Sequence, residues 1–596
     1  MNQLTQKLKS GEMSIQDLPM PLAGTGMVLV RNHYSLISAG TESNTVKVAR
    51  KSLIGKAKER PEQVKQVIDT LKKQGPVHTY RTVMKQLDAY SSLGYSSAGV
   101  VFEVGKGVKG FCVGDKVACA GVGYANHAEF VSVPVNLCVK LPADADLKLS
   151  SYNTLGAIAL QGVRQADLRL GESCAVIGLG LLGQLTCMIL KASGIKAYGI
   201  DVDNTAVETA KQNCVDNAWL RSNAEINSQI AYITGGLGVD AVIITAGTNS
   251  LDPINFAGQI VRKKGRVIIV GAVPTGFERN PNWYEKELEL KMSCSYGPGR
   301  YDLDYEEKGQ DYPPAYVRWT ENRNMQAFQD LIHSSSINLD YLTTHEFSLG
   351  QAKQAYDIIV TRSEPFLGMI LKYDIEKPLS KKRVEIRQHQ PVGKIGIGFI
   401  GAGSYAQGNL LPNIPKNDSE VSCQGVMDNM GATAKRVAER FGFEFCTSSI
   451  EDIILNDQIN TVFIATRHDS HADYVKQALQ KGKHVFVEKP ICLTNEQLSE
   501  IENIYNGLSD KAQLMIGFNR RFAPHAVRMK NILGQGPFSM IYRINASTIP
   551  ANTWIQDSEI GGGRIIGEVC HFIDFLTWLL SKLVHWFYII LLIKYL

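Results

Sequence analysis

The chain has 596 residues, of which 44% are hydrophobic and 20% charged, a composition that excludes a wholly disordered protein and suggests roughly four domains. Its formal net charge of +5 is too weak to indicate nucleic-acid binding, and none is expected. The 11 cysteines contain no CxxC pair and residues 1–21 contain no apolar run, so we expect a cytoplasmic location.

The first predicted region is rich in short strands. Between residues 27 and 141, β-branched and aromatic runs are separated by glycines, which predicts a barrel-like domain that we assign to residues 1–155. Residues 46–85 inside it have helical spacing and many lysines and arginines. We favour a solvated helical insertion there, with a basic lid over an anionic substrate as the alternative.

The pattern then changes to strand, glycine turn and helix. Gly178, Gly180 and Gly183 form GxGxxG directly after a predicted strand, where the glycines allow a tight turn, the approach of a pyrophosphate and close helix packing. The next strand ends at Asp201, whose carboxylate can accept hydrogen bonds from a ribose and repel a 2′-phosphate. Residues 156–300 are therefore predicted to form a Rossmann domain that binds NAD in preference to NADP.

Several longer motifs accompany this turn, namely GVVFEVGKGVKGFCVGDKV, YANHAEFV and GAIALQGV. Through them, residues 20–373 resemble the medium-chain dehydrogenase/reductase (zinc alcohol dehydrogenase-like) family. The resemblance implies a GroES-like catalytic domain, closed by residues 301–375 over the cleft that takes the nicotinamide. Residues 376–393, which are charged and contain two prolines, are predicted to be a linker.

The sequence departs from this family at two positions where zinc-dependent members place a cysteine and a histidine. Ala39 and Tyr95 stand there, and neither is a good zinc ligand, so no zinc or other metal is expected. Protein hydrogen bonds would then polarise the substrate carbonyl, with Tyr95 and His127 as candidates and packed core side chains as the alternative. Arg300 is the candidate partner of the pyrophosphate, with a solvent-exposed turn arginine as the alternative.

After the linker the strand, turn and helix pattern restarts. Gly401, Gly403 and Ala406 form GxGxxA after a buried apolar run, and alanine is an accepted small residue in the third position. Asp428 ends the next predicted strand and is the second candidate ribose acceptor. Residues 394–515 are therefore predicted to be a second Rossmann domain that binds NAD.

More specific motifs follow this second turn. An Ala-Thr pair, a Glu-Lys-Pro motif, the run GFNRRF and three glycines before a histidine occur in that order. Together they make residues 393–580 resemble the Gfo/Idh/MocA family of sugar oxidoreductases. The resemblance implies cofactor contacts or acid/base roles in carbinol oxidation for particular residues. The cofactor contacts are Thr466, His471 and Glu488, and the acid/base residues are Lys489 and His571.

Two departures from this second family concern the proposed chemistry. The family usually has an aspartate four residues before the histidine, and Gly567 occupies that position here. Glu568, one position later, is the candidate substitute in the proton relay. Arg467 and His468 replace the family's Pro-Asn pair near the nicotinamide, which is expected to change the cofactor pocket.

Residues 516–596 are expected to form only a partial α/β substrate domain, because the family's open sheet needs more residues. The apolar stretch 575–596 is interrupted by charges, and its uninterrupted part is shorter than the run of about 20 residues that spans a bilayer, so a membrane role is not favoured. We expect a truncated or frame-shifted reading frame whose incomplete sheet exposes an edge.

The predicted fold class is α/β, with a GroES-like β-rich domain and a Rossmann fold followed by a second Rossmann fold and an incomplete α/β substrate domain. The resemblances imply a two-module NAD-dependent oxidoreductase that transfers hydride to or from a sugar or nucleotide-sugar derivative in surface-polysaccharide metabolism. The alternative is a non-catalytic dinucleotide-binding or scaffold protein derived from such enzymes. A small-molecule sugar is the expected partner, and a homo-oligomer is left open.

Overall fold

The computed structural model divides the chain into two compact units, Met1–Ser380 and Lys381–Leu596. The division lies inside the segment predicted to be a linker. The apolar tail from residue 581 onward lies outside the described residues, as do parts of the basic insertion and of the linker. The structure describes residues 1–51, 55, 61–87, 90–378, 382–387, 395–415, 420–508, 512–533, 540–544, 549 and 553–580.

The first unit begins with the strand-rich region that its short apolar runs predict. Its elements are β1 (Asn2–Lys7), β2 (Met13–Asp17), β3 (Met27–Ile37), α1 (Ala39–Arg50), α2 (Pro61–Leu87), β4 (Tyr90–Ser92), β5 (Ser96–Val104), β6 (Lys116–Ala120), β7 (Phe130–Pro134), β8 (Cys138–Lys140), α3 (Leu147–Ser150) and α4 (Asn153–Ala166). β1 lies between β2 and β4 in a small antiparallel sheet. β3, β5, β6 and β8 pair in that order in a larger antiparallel sheet, and β7 also pairs with β3.

The basic insertion is helical where the structure describes it, as its spacing predicts. α2 is interrupted at Gly75, which has a φ of 78° and precedes Pro76. The prediction of a solvated insertion is wrong at its start, because Val46 on α1 is completely buried. Val46 packs in a cluster with Leu4 and Ile37, so this end of the insertion belongs to the core.

The middle of the first unit is a parallel sheet covered by helices. Its elements are β9 (Ser173–Ile177), α5 (Leu181–Ala192), β10 (Lys196–Asp201), α6 (Asn204–Asn213), β11 (Asn217–Leu220), α7 (Ile226–Ile233), β12 (Val239–Ile244), α8 (Asp252–Ile260), β13 (Val261–Ile269) and β14 (Glu289–Met292). The strand order is β11-β10-β9-β12-β13-β14, and every neighbouring pair is parallel. The order reverses direction between β9 and β12, which opens a crevice at the carboxyl ends of these strands.

The chain then returns to the larger antiparallel sheet. The returning elements are α9 (Leu303–Glu306), α10 (Glu321–His333), β15 (Thr343–Ser348), α11 (Ala352–Thr361) and β16 (Gly368–Lys372). β16 pairs antiparallel with β3, with Met369 opposite Ile37, and β15 pairs with β16 at the sheet edge. The predicted GroES-like and Rossmann folds of the first half are confirmed.

The second unit contains another parallel sheet. Its elements are β17 (Arg383–Glu385), β18 (Ile395–Ile400), β19 (Val421–Met427), α12 (Gly431–Phe441), β20 (Phe445–Thr447), α13 (Glu451–Ile454), β21 (Thr461–Ile464), α14 (His471–Gln480), β22 (His484–Val487), α15 (Asn495–Asn506), β23 (Leu514–Ile516), α16 (Pro524–Leu533) and α17 (Cys570–Leu580). The strand order is β17-β20-β19-β18-β21-β22-β23, with only β17 antiparallel to its neighbour. The second predicted Rossmann fold is confirmed.

The segment predicted to be a linker contains one ordered strand. β17 adds an edge to the second sheet, with Val384 opposite Cys446. Val384 and Ile386, two residues apart, pack on the same hydrophobic cluster as Phe443, so this short alternating pattern has a buried face. The segment predicted to be a linker thus contributes one edge strand to the second unit.

The end of the described chain is helical. After Ile516, the described residues contain α16, α17 and short single turns but no strand, so the sheet of the expected substrate domain is not found among them. Ala526, Phe575 and Leu579 form the small cluster that joins the two helices. Within the described residues, no helix combines the length and apolarity needed to cross a bilayer.

Candidate functional site

The first glycine turn has the geometry that its spacing predicts. Gly178 has a φ of 102°, and a Cβ there would lie 2.6 Å from the backbone nitrogen of Ala246. A Cβ on Gly183 would lie 1.8 Å from the Gly178 carbonyl oxygen, so α5 packs against the turn only because this residue is glycine. Around Gly180, which caps α5, no described atom lies within 4 Å of the Cβ position. That open space at a helix N-terminus fits a pyrophosphate.

Asp201 ends β10 beside this turn. Its Oδ2 accepts a hydrogen bond from the backbone nitrogen of Leu179 at 2.5 Å, and its Oδ1 accepts one from Asp203 at 2.9 Å. The half-buried carboxylate is therefore held at the edge of the crevice. Each oxygen keeps a further lone pair, which fits the hydroxyls of a ribose.

The second glycine turn repeats this arrangement. Gly401 has a φ of 91° and faces the backbone of Ala465, while Gly403 has no described atom within 4 Å of its Cβ position. Ala406, in the third position, is fully buried. Asp428 accepts hydrogen bonds from the backbone nitrogens of Ala402 and Met430, both at 2.9 Å. Burial raises the pKa of Asp428, against the effect of these two bonds. Both turns thus fit a dinucleotide.

His127, a predicted catalytic group of the first unit, is part of an internal polar network. It is fully buried, with Nδ1 at 2.7 Å from Ser35 Oγ and Nε2 at 3.4 Å from Glu42 Oε2. Glu42 also accepts hydrogen bonds from the backbone nitrogens of Ser38 at 2.8 Å and Gly94 at 3.0 Å. Although burial opposes ionisation, His127 and the hydrogen bond from Ser38 hold the pKa of Glu42 below its ordinary value. This geometry matches the packed-side-chain alternative.

Tyr95, the other candidate donor, is buried next to α4. Its carbonyl oxygen accepts a hydrogen bond from Thr154 Oγ1 at 3.0 Å. Burial raises the pKa of Tyr95 to about 12, so its hydroxyl keeps its proton and can donate it in a hydrogen bond.

Arg300 is engaged within the protein. Its guanidinium forms an ion pair with Glu306 and lies 4.3 Å from the ring centre of Tyr301. The structure also brings Tyr296 and Glu321 to this turn, two residues that the sequence analysis missed. No local signal marks them, because Glu321 reads as an ordinary acidic residue in the first turn of α10.

Lys489 and His571 lie close enough to interact electrostatically in the second unit. Lys489 Nζ donates a hydrogen bond to the carbonyl oxygen of Gly567, the residue in place of the family's aspartate. Burial and the Lys489 ammonium lower the pKa of His571 to about 4, well below the ordinary value of an imidazole. His571 Nδ1 is buried without a hydrogen-bond partner among the described residues.

Glu568, the proposed substitute for the missing aspartate, is paired elsewhere. Its Oε2 accepts hydrogen bonds from Arg564 Nη2 at 2.9 Å and Nε at 3.2 Å. In this short helical turn, a shift by one residue along the chain points the side chain in a different direction. The Glu568 carboxylate therefore bonds to Arg564 and not to Lys489 or His571.

His471 holds the Lys489 loop in position. It is fully buried, with Nδ1 at 2.7 Å from the Pro490 carbonyl oxygen and Nε2 at 3.2 Å from that of Thr466. It therefore joins the end of β21 to the end of β22. Glu488 is buried on the other side of this loop, against Gly517, and burial raises its pKa.

A later loop folds over the end of β21. His468 Nδ1 lies 2.8 Å from the Gly561 carbonyl oxygen, and its ring meets the edge of Trp554 at 4.9 Å between centres. The backbone nitrogen of Asp469 donates to the Ile560 carbonyl oxygen at 3.0 Å. His468 and Asp469 thus anchor this glycine-rich loop at the end of β21. The packing of Trp554 against His468 is a contact that the sequence did not reveal.

No group of three or more His, Cys, Asp or Glu side chains that could hold a metal ion occurs in the part of the chain that the structure describes. The side chains at the family's cysteine and histidine positions are those of Ala39 and Tyr95. The absence of zinc stays a prediction.

Three family profiles match the chain, in the order that the motifs predict. They are the alcohol dehydrogenase GroES-like domain over residues 69–143, the zinc-binding dehydrogenase over 182–307 and the oxidoreductase family with an NAD-binding Rossmann fold over 395–517. The predicted fusion of two oxidoreductase families in one chain is confirmed.

Curated relatives match each half separately. The inositol 2-dehydrogenase of Rhizobium meliloti is 28% identical over 189 residues, which are 32% of this chain and 56% of that protein. The probable D-xylulose reductase A of Arthroderma otae is 27% identical over 246 residues, 36% of this chain and 69% of that protein. The chain thus spans little more than half the length of the inositol dehydrogenase.

Among solved structures, galactitol-1-phosphate dehydrogenase from Escherichia coli matches with a TM-score of 0.48 and 16% identity. The match covers 62% of this chain and 100% of that one.

Proposed function

We propose that this chain, which joins a medium-chain dehydrogenase/reductase half to a Gfo/Idh/MocA half, is a two-module NAD-dependent oxidoreductase. Its substrates would be carbinol or carbonyl groups of sugars or nucleotide sugars, in surface-polysaccharide metabolism. One observation carries the proposal: both parallel sheets have a glycine turn that is open at its second glycine and bonded to a carboxylate at the end of the next strand. The two curated relatives are named for inositol and D-xylulose, which supports a polyol or a ketose as the substrate.

The residues of each turn would bind the pyrophosphate and a ribose of the cofactor. The N–H groups around Gly180 and Gly403 would bind the pyrophosphate, and Asp201 and Asp428 would accept the ribose hydroxyls and disfavour a 2′-phosphate. NAD, when bound, supplies or accepts the hydride. Arg300 would reach a pyrophosphate only by leaving Glu306.

In the second module, the side chains of Lys489 and His571 would handle the proton. Lys489 Nζ would hold the carbinol oxygen, and its positive charge favours the ionisation of that hydroxyl. His571 is neutral at pH 7, and its Nδ1 has no hydrogen-bond partner in the described part of the chain, so it can accept the hydroxyl proton. Thr466, His471 and Glu488 would support the cofactor from the loop ends. In the first module, Tyr95 is proposed to donate a hydrogen bond to the substrate oxygen, without zinc.

The stoichiometry of NADH binding to the full chain tests the cofactor part of the proposal. Isothermal titration calorimetry is expected to give two equivalents per chain, because both turns have the same open geometry. One equivalent would remove one module from the proposal, and none would contradict it.

A non-catalytic dinucleotide-binding or scaffold protein is the second candidate. It is favoured by the second site, where Glu568 pairs with Arg564 and the missing aspartate leaves Lys489 bonded to a backbone carbonyl. A binder would have no use for the Lys489 ammonium, whereas an enzyme would depend on it.

Replacement of Lys489 by Ala separates the two candidates. If the second module is an enzyme, we expect its turnover of inositol to fall by about 100-fold or more while NADH affinity changes less than about twofold. Lys481→Ala, an exposed lysine at the end of α14, is the matched control. Unchanged turnover in Lys489→Ala would remove this residue from the mechanism, and no turnover of any sugar by the parent chain would favour the scaffold.

A further inference from the structure

Two polar side chains in the first unit are buried without a hydrogen-bond partner among the described residues. They are the carboxyl group of Glu321, 0% exposed, and the hydroxyl of Tyr296, 2% exposed. Buried polar groups in folded proteins almost always have a partner, and those that lack one are often completed by water or a ligand. The two groups therefore have hydrogen-bonding capacity that a polar molecule can complete.

Tyr296 lies in the turn that follows β14, and Glu321 packs against this turn from the start of α10. Tyr296 is the fourth residue after that strand, at the edge where parallel sheets bind their ligands. The backbone nitrogen of Glu321 donates to the Pro298 carbonyl oxygen at 2.9 Å, and Glu321 Oε1 lies 2.9 Å from the Cβ position of Gly299. Gly297 and Gly299 have φ values of 121° and 110°. Only glycines let this turn close over the Glu321 carboxyl.

The turn is anchored rather than loose. Asn324 Nδ2, one turn further along α10, donates to the Tyr296 carbonyl oxygen at 2.9 Å and to Gln161 Oε1 at 3.0 Å. Arg164 Nε donates to Asn324 Oδ1 at 2.8 Å. These bonds tie the turn to α4, next to Tyr95, whose hydroxyl lies close enough to Tyr296 to influence its ionisation.

The surrounding charges keep Glu321 protonated. Arg300, the nearby cation, is already paired with Glu306. Burial and the Glu306 charge, which outweigh Arg300, raise the pKa of Glu321 to about 9. At neutral pH the side chain is thus a carboxylic acid that can donate a proton. The titratable groups that face it are Tyr296, Arg300, Asp302, Tyr305, Glu306 and Tyr312.

We propose that Glu321 and Tyr296 together bind the carbonyl or hydroxyl oxygen of a ketose or polyol in the first module. This inference rests on the proposed oxidoreductase function and names its proton donor. In reduction, Glu321 gives its proton to the carbonyl oxygen, and the Tyr296 hydroxyl donates a hydrogen bond to the same atom. The carbonyl carbon receives the hydride that reduced nicotinamide supplies under the proposed function. The product is an alcohol, and a solvent proton restores Glu321; oxidation runs in reverse.

Infrared spectroscopy of the full chain with labelled glutamate tests the proton donor without turnover. The difference between the parent and Glu321→Gln is expected to contain a protonated carboxyl band at neutral pH that is lost as the pH rises through about 9. Glu285→Gln, which replaces an exposed glutamate in the same unit, is the matched control and is expected to leave this band unchanged. A parent spectrum without the protonated band would overturn the proposal.

Kinetics in a Lys489→Ala chain then isolate the first module, with D-xylulose and NADH as the probe pair. Tyr296→Phe and Glu321→Gln are expected to lower kcat by about 100-fold, because each removes a donor to the reacting oxygen. The stoichiometry of NADH binding should be unchanged, and its affinity should stay within about twofold of the parent's. Retained NADH binding would also show that the variants are folded. Tyr301→Phe, in which an exposed ring loses its hydroxyl, is the control and should keep the parent kcat.

The outcomes separate this inference from the proposed function. A parent that reduces D-xylulose and is indifferent to both substitutions overturns the role of Glu321 and Tyr296 alone. A parent that turns over neither D-xylulose, inositol nor a nucleotide sugar overturns the proposed function, and the catalytic role of the pair with it.

Discussion

Asp201 and Asp428 bind the backbone of their own glycine turns. Each carboxylate accepts one hydrogen bond from the residue after the first glycine and one from the residue two positions beyond itself. The acid is thereby fixed before a ribose arrives, so less ordering accompanies binding. The same fixed negative charge would lie against a 2′-phosphate, which is the physical reason to expect NAD.

The second glycine of each turn can be tested without disturbing the fold. Neither Gly180 nor Gly403 has a left-handed φ, and the space around each Cβ position holds no described atom. Gly180→Val and Gly403→Val should therefore each change the free energy of unfolding by less than about 1 kcal/mol. Because the new side chain fills the space for the pyrophosphate, each variant is expected to lose one equivalent of NADH in calorimetry.

Gly401→Ala provides the contrasting control for this prediction. The new Cβ would lie 2.7 Å from the Ala465 backbone at a φ of 91°, so this substitution should destabilise the second unit by at least about 1 kcal/mol. If Gly180→Val and Gly403→Val still bind two equivalents of NADH, the pyrophosphate does not lie at these glycines.

At the scale of elements, the segment between β21 and α14 depends on neutral histidines. His468 Nδ1 donates a hydrogen bond to the Gly561 carbonyl oxygen in the glycine-rich loop, and His471 holds the loop that carries Lys489. Burial lowers the pKa of both, and it lowers that of His468 to about 4. The nearby Lys489 ammonium acts in the same direction. Protonation of these rings would place positive charges side by side in a poorly solvated space.

This arrangement predicts that the second unit loses stability in acid. The ordinary histidine pKa is 6.5, and the folded values for His468 and His571 are about 4. The unfolded chain thus binds more protons between these limits, and stability is greatest above pH 6.5 and decreases as the pH falls toward 4. Thermal unfolding monitored by tryptophan fluorescence should have a lower midpoint at about pH 5 than at about pH 7.5.

Single substitutions assign this pH dependence to the buried rings. His468→Gln keeps a neutral donor for the Gly561 carbonyl but cannot ionise, so the difference between the two midpoints should shrink. His525→Gln, on the exposed side of α16, should leave that difference unchanged. An equal pH dependence in parent and His468→Gln would show that His468 does not contribute to it.

At the scale of the whole molecule, the hydrophobic clusters of the described residues fall into two separate sets. The clusters around β9, β12 and the larger antiparallel sheet contain only residues before 374. Those around β18 and β21, and the cluster between α16 and α17, contain only residues after 383. Each unit thus has the apolar core that independent folding requires.

The separate cores predict that the two units fold and bind cofactor on their own. Residues 1–380 and 381–596, expressed separately, should each show a cooperative unfolding transition and bind one equivalent of NADH. Circular dichroism and calorimetry on each fragment check this. A fragment that folds only when the other is added would mean that the units stabilise each other.

The sequence alone determined the parts of this protein that depend on neighbours along the chain. The GxGxxG and GxGxxA turns, Asp201, Asp428 and the two Rossmann folds could be predicted, because strand, turn and helix spacing places these residues together whatever surrounds them. The fusion of two oxidoreductase families was likewise readable from the order of the motifs.

Only the tertiary structure decided which distant residues meet. It placed His127 in a buried network with Ser35 and Glu42, paired Arg300 with Glu306, and turned Glu568 toward Arg564. It also buried Glu321 beside Tyr296 and left both without a partner among the described residues. Burial and charge at such positions come from packing between elements far apart in the chain, and no local pattern of residue types carries that information.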